Sequence, residues 1–182
     1  MIAYKGFEPG LICRGYQFVM GLNVTEKANC VANGFHCAEN PLDCLTYYGN
    51  MDESEYYLVD AGGDIDEDDH DSKIACTELT ILKKLTREDF FLHALVYMVD
   101  HPALERTNKI TRERATASRG YAVVCGIDPV AKGQVGDILA FAAEEPYSGR
   151  IIQIAVARVD DEKFRAGVWY GVDLKERKVR IF

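Results

Sequence analysis

From residue 115 onward the chain changes texture in a way that few folds accommodate. Small residues recur at Ala115, Ala117, Gly120, Ala122, Gly126, Ala131, Gly133 and Gly136. Apolar runs follow at 138–143 and 151–159, with shorter ones at 168–172 and 178–182. Pro146-Tyr147-Ser148-Gly149 and Asp160-Asp161 separate them. Runs this short, bounded by turn residues, read as strands. Residues 115–182 are therefore expected to form a β-rich module.

The first hundred residues have a different grammar. Strands are expected at 2–7 and 11–20, around a Pro9-Gly10 turn. Asn40-Pro41-Leu42-Asp43 is a helix start: Asn40 caps, Pro41 suits the first helical position, and Asp43 meets the dipole. That helix is expected to reach about Tyr48 and stop at Gly49-Asn50. A strand follows at 55–60, then an acidic solvated loop at 64–71, then a strand at 73–82. Thr86 opens a second helix whose Phe90–Val99 stretch is apolar nearly all round, so it should be well buried. His101-Pro102 ends it. The expected fold class is α+β: a mainly antiparallel sheet with two helices over 1–104, a linker over 105–114, and a smaller β-rich module over 115–182.

Composition narrows the function classes. With 48% hydrophobic residues the chain can build a core. A net charge of −8 disfavours direct nucleic-acid binding. No run of 18 apolar residues is present, so no membrane-spanning helix is expected. Without a basic start and apolar stretch at the N-terminus, the expected location is cytoplasmic. There the six cysteines should be mostly reduced and buried. Cys30, His36, Cys37 and Cys44 lie close in sequence but contain no C-x-x-C clamp, so no metal is expected. In the acidic run, Asp69 stands where an EF-hand needs glycine and Ala75 where it needs glutamate, which removes the calcium-loop reading. No phosphate-loop, dinucleotide or serine-hydrolase motif is present. Cys37 and His36, adjacent on a strand, point to opposite faces and form no dyad.

The segments YKGF (4–7), CRGYQF (13–18), NGFHCAENPLDCLTYY (33–48) and DSKIACTEL (71–79) together resemble an uncharacterised domain family found in phages and gut bacteria. The resemblance implies a C-terminal array of Ala/Gly-rich, solenoid-like repeats closed by a strand-rich cap with a W-Y pair. Here Ala115–Gly136 looks like a vestige of that array, long enough for one or two coils, and Trp169-Tyr170 is similar to the cap. A weaker likeness, at the level of fold, is to ADP-ribosyltransferases. It implies that Arg14-Gly15 holds phosphates, that the segment with His36 and Tyr47 lines the nicotinamide end of a nucleotide pocket, and that Glu78 is the catalytic carboxylate.

The expected function is a non-enzymatic binding or accessory protein of phage or prophage origin, engaging a protein or a small ligand without a cofactor. Arg14, His36 and Tyr47 are the candidate ligand contacts. One alternative is a transferase-like enzyme, or an inactive nucleotide-binding relative, with Glu78 as the candidate catalytic residue. A second is an acidic inhibitor of a nucleic-acid-binding host protein, using Asp64–Asp71. Open sheet edges add a homo-oligomer to these expectations.

Overall fold

The computed structural model describes residues 1–28, 33–67, 72–103 and 106–179. Contacts divide the chain into two compact units, Met1–Thr86 and Arg87–Phe182. Both are mainly β.

In the first unit, β1 (Ile2–Phe7) is followed by a two-stranded hairpin, β2 (Ile12–Cys13) and β3 (Tyr16–Gln17). The hairpin turns through Arg14 (φ 51°) and Gly15 (φ 77°). Two successive positive φ values match the twist of the flanking strands. Then come β4 (Gly21–Val24), β5 (Phe35–Ala38), α1 (Pro41–Cys44), β6 (Glu55–Glu67) and β7 (Lys73–Lys84). The main sheet runs β4-β7-β5-β1-β6, and a further β6–β7 pairing closes β7, β5, β1 and β6 into a ring of four strands. β4 remains outside that ring. All the pairings are antiparallel.

The ring encloses a core that includes Ala3, Phe7, Phe18, Phe35, Cys37, Tyr57, Val59, Ile74, Cys76, Leu79 and Ile81. Phe7 meets Phe18 and Tyr57 edge-on, with centroids 5.2 and 5.4 Å apart. Side chains two apart on a strand share a face, so Lys5 points the same way as Ala3 and Phe7. It is only 4% exposed. A buried ammonium needs partners. Lys5 Nζ donates to the His36 carbonyl at 2.5 Å and lies over the Phe7 and Phe18 rings, 5.2 and 5.3 Å from their centroids.

Three sequence expectations change here. Residues 11–20 are not one strand, because the Arg14-Gly15 turn folds them back on themselves. α1 stops at Cys44, after which Leu45 and Thr46 donate to the carbonyls of Leu42 and Asp43 in a tighter turn. Residues 64–67 are not a loop; they extend β6, with Ile65, Asp66 and Glu67 opposite Cys76, Ala75 and Ile74. The rest of the acidic run, 68–71, lies outside the described residues, as does Cys30.

The second unit begins with α2 (Arg87–Asp100), followed by β8 (Ile110–Thr116), β9 (Tyr121–Lys132), β10 (Ile138–Glu144), β11 (Ile151–Arg158), β12 (Trp169–Gly171) and β13 (Glu176–Arg177). β8, β9 and β10 lie side by side and parallel, unlike any pairing in the first unit. Thr116 pairs with Lys132 and Tyr121 with Ile138, offsets of 16 and 17 residues. Parallel neighbours linked by so few residues require a coiled path with sharp corners. Glu113 makes one, at φ 60°. Its carboxylate accepts from Ile127 N at 3.0 Å in the next coil and covers Gly126, where a Cβ would sit 2.3 Å from it. Ala115 stacks in register on Ala131. Ala115, Gly126, Ala131 and Gly133 thus fall at close approaches, whereas Gly120 and Gly136 take positive φ. β11 and β12 pair antiparallel with β10 and β9 and end the stack. Tyr170 is buried in this core, whereas Trp169 lies against Lys132 Nζ, 4.9 Å from its ring centroid.

The contact division falls at Thr86/Arg87, ahead of 105–114, and residues 110–116 are a strand. α2 packs against β10 and β11. It buries Phe90, Phe91, Ala94, Leu95 and Met98. It is not buried all round: Leu92, Val96 and Val99 are 42%, 43% and 41% exposed. No helix among the described residues is long and apolar enough to cross a membrane.

Candidate functional site

A cavity of about 310 Å³ opens in the first unit, between β1, the β2–β3 hairpin, β5 and the segment from α1 to Tyr48. Its wall includes Lys5, Arg14, His36, Tyr47, Tyr48 and Lys73. Each arrives by a local device. Lys5 occupies an inward position of β1. Arg14 sits at the tip of the hairpin in a left-handed backbone conformation and is exposed. Ala38 of β5 pairs with Tyr4 of β1 and with Lys73 of β7, which brings Lys73 to the rim. Asn40 caps α1 by accepting from Leu42 N at 3.1 Å, which fixes the start of the segment carrying both tyrosines.

Tyr48 is held from three sides. Its hydroxyl donates to Cys13 Sγ at 3.0 Å, and its backbone carbonyl accepts from the Tyr56 hydroxyl. Its ring lies on Gly6, where a Cβ would stand 2.6 Å from the ring. Desolvation, then the bond to Cys13, pushes the phenol above its ordinary pKa, so it stays a proton donor at neutral pH. We expect Gly6→Val to displace Tyr48 and cost about 1–3 kcal/mol, as overpacking does. An unchanged urea midpoint would show that the ring has room to move.

The electrostatics of the wall run against the charge of the chain. Lys5, Arg14 and Lys73 bring three cations to the cavity and Asp43 one carboxylate. That carboxylate is engaged: Ser72 Oγ donates to it at 2.7 Å. Arg14 has no hydrogen-bond or ion-pair partner among the described residues. The thiols nearby are mostly inert. Cys44 Sγ donates to the Tyr4 carbonyl at 3.4 Å, and burial pushes its pKa up to about 12. Cys37 is raised too, by its hydrogen bond with Cys76 and by burial. No three of His, Cys, Asp and Glu come together to hold a metal ion among the described residues.

The structure brings Arg14, His36 and Tyr47 to one cavity and leaves Glu78 off its wall. Glu78 is exposed on β7, opposite Val24 and Gly62, and its carboxylate lies alongside Gly62. The carboxylate that transferase chemistry would need is therefore not beside Arg14. Sequence reasoning missed Lys5, Cys13, Tyr48 and Lys73. For Lys5 a signal existed, since a lysine alternating with Ala3 and Phe7 marks a charge on an inward face. The others meet only through pairings distant in sequence.

The first unit is thus a small, ring-closed β domain with a cation-rich cavity among its side chains. Residues 1–93, just over half of the chain, match the model of a family described as a domain of unknown function (DUF7666), and the chain belongs to that family. No curated protein and no solved structure matches it.

Proposed function

We propose that the first unit is a non-enzymatic binding module, of phage or prophage origin, that takes a small anionic ligand in the Arg14–Lys73 cavity. The supporting observation is Arg14. A guanidinium without an ion pair among the described residues, over a cavity already holding two ammonium groups, is the arrangement that recognises phosphate or carboxylate. The cavity is the size of a small-molecule site, and Tyr47 and Tyr48 give it aromatic surface. The position of Glu78 favours binding over transfer. A second reading, an inactive nucleotide-binding relative of the transferases, draws support from Tyr47, an exposed aromatic on the cavity wall of the kind that stacks on a base. The acidic-inhibitor alternative rests on Asp64–Asp71, half of which lies outside the described residues, and carries less weight.

The test is thermal unfolding of the whole chain with inorganic phosphate, citrate, ADP-ribose and NAD. At about a hundredfold excess over Kd, a ligand of the folded state stabilises by about 2.7 kcal/mol, which raises Tm by roughly 5–10 °C. The expected result is such a rise with at least one anion and its loss in Arg14→Gln. A flat response to all four, or a rise that survives in Arg14→Gln, overturns the proposal. A rise confined to ADP-ribose and NAD selects the nucleotide reading.

A further inference from the structure

We propose that Cys13 is a thiol-exchange site, S-thiolated by low-molecular-weight disulfides that carry carboxylates. The preference for carboxylates rests on the anionic reading of the cavity; the reactivity of Cys13 does not.

Among the described residues Cys37, Cys44, Cys76 and Cys125 are buried, and only Cys13 is half-exposed. It lines the cavity at the end of β2, one residue before Arg14, which has no partner among the described residues. Cys13 packs against the core of the unit, and its sulfur has polar partners as well. The Tyr48 hydroxyl donates to it at 3.0 Å, and Lys5 Nζ stands 3.7 Å away. Both donors are fixed independently of the sulfur. The His36 carbonyl and two aromatic rings hold Lys5, while Gly6 and Tyr56 hold Tyr48. Disulfide exchange needs a thiol that an incoming disulfide can reach, and Cys13 offers one beside two fixed donors. The other described thiols are all buried. Cys125 is pushed up to about 12 by burial and by its bond to Glu144, and Cys44 by burial.

In the exchange, the Cys13 thiolate attacks one sulfur of the incoming disulfide. A protein–ligand S–S bond forms as the ligand S–S bond breaks, and the departing thiolate takes a proton from solvent. Cys13 is oxidised and the disulfide reduced; no further oxidant is needed. Arg14 and Lys73 at the rim face the carboxylates of the incoming molecule. The mixed disulfide then occupies the space proposed for the anionic ligand, so thiolation and ligand binding exclude each other.

The experiment exposes the reduced full chain separately to glutathione disulfide (anionic), hydroxyethyl disulfide (neutral) and cystamine disulfide (cationic), and maps the adducts by peptide mass. The expected outcome is one adduct, on Cys13, forming about tenfold or more faster with the anionic than with the cationic disulfide. Tyr48→Phe slows all three reactions. Arg14→Gln removes most of the discrimination while Cys13 still reacts. Adducts on Cys30, or spread over several thiols, overturn the assignment, as does a Cys13 rate no higher than that of an unstructured cysteine peptide. Equal rates with all three disulfides overturn the carboxylate preference and, with it, the anionic reading of the cavity.

Discussion

Phe7→Ala is expected to destabilise the first unit by about 3–5 kcal/mol. Phe7 has no exposed surface. Its ring touches Phe18 and Tyr57 edge-on and forms part of the aromatic bed under the Lys5 ammonium. Truncation therefore does two things at once. It opens a cavity among the large side chains packed round it, Phe18 and Tyr57 first, and it removes one of the two rings facing a buried cation. Natural domains hold only about 5–15 kcal/mol in reserve, so the loss takes a large share. Urea unfolding of the first unit is the measurement, with hydrogen exchange in β1 and β6 as its local readout. A shift of the midpoint equivalent to less than about 1 kcal/mol would mean that the ring of strands tolerates the void, and that its closure by β6–β7 pairing supplies more of the stability than its interior does.

The second large effect lies in the other unit. Glu144 ends β10 and is 6% exposed. Arg112 Nη1 lies 2.7 Å from Oε2, Arg106 Nη2 lies 3.7 Å from Oε1, and Cys125 Sγ donates to Oε1 at 3.0 Å. Burial pushes the carboxyl pKa up, but the bonds from Cys125 and Arg112 and the two guanidinium charges outweigh it, and the net shift is downward. Glu144→Gln should cost about 2–3 kcal/mol at pH 7. That range sits below the cost of breaking a fully buried pair, because the Arg112 side chain is 58% exposed and water partly screens it. The sign of the pH dependence follows from the downward shift. The wild-type advantage is fully present above the unfolded carboxylate pKa, about 4.3, and fades as pH falls through the lower folded value. Wild type and variant should therefore converge towards pH 3. A penalty that stays constant from pH 7 to pH 3 would show that Glu144 acts through packing rather than charge.

Where local chemistry decided the structure, the sequence could be read. Asn40 and Pro41 set the start of α1 because capping and a fixed φ need no distant partner. The small residues between 115 and 136 were informative for a similar reason, since close stacking excludes large side chains wherever it occurs. The end of α1 was not legible, because the chain goes on from Cys44 to Tyr48 in tight turns, with i→i+3 bonds at Leu45, Thr46 and Tyr47, rather than breaking off at a marked residue. Nor was the acidic end of β6: Asp64–Glu67 has the composition of a loop, yet pairing with β7 overrides it. α2 is apolar enough to suggest full burial, but a helix packed on one sheet keeps an outer face, and Leu92, Val96 and Val99 occupy it. For the site, the resemblance supplied Arg14, His36 and Tyr47. It also supplied Glu78, which the same fold places elsewhere, since a strand residue's neighbours depend on register that no single segment encodes.

The parallel offset of β8, β9 and β10 has an arithmetic consequence. Each coil adds one strand spacing, about 4.8 Å, to the stack. Because the Glu113 corner, the Ala115–Ala131 contact and the Gly126 approach are all made between neighbouring coils, a duplicated stretch of 16 or 17 residues could repeat them without altering either end. Insertion between β8 and β9 would then lengthen the module in fixed increments while leaving the cap intact. The stack is in effect a ruler, and each added coil would change the reach of the module rather than its chemistry.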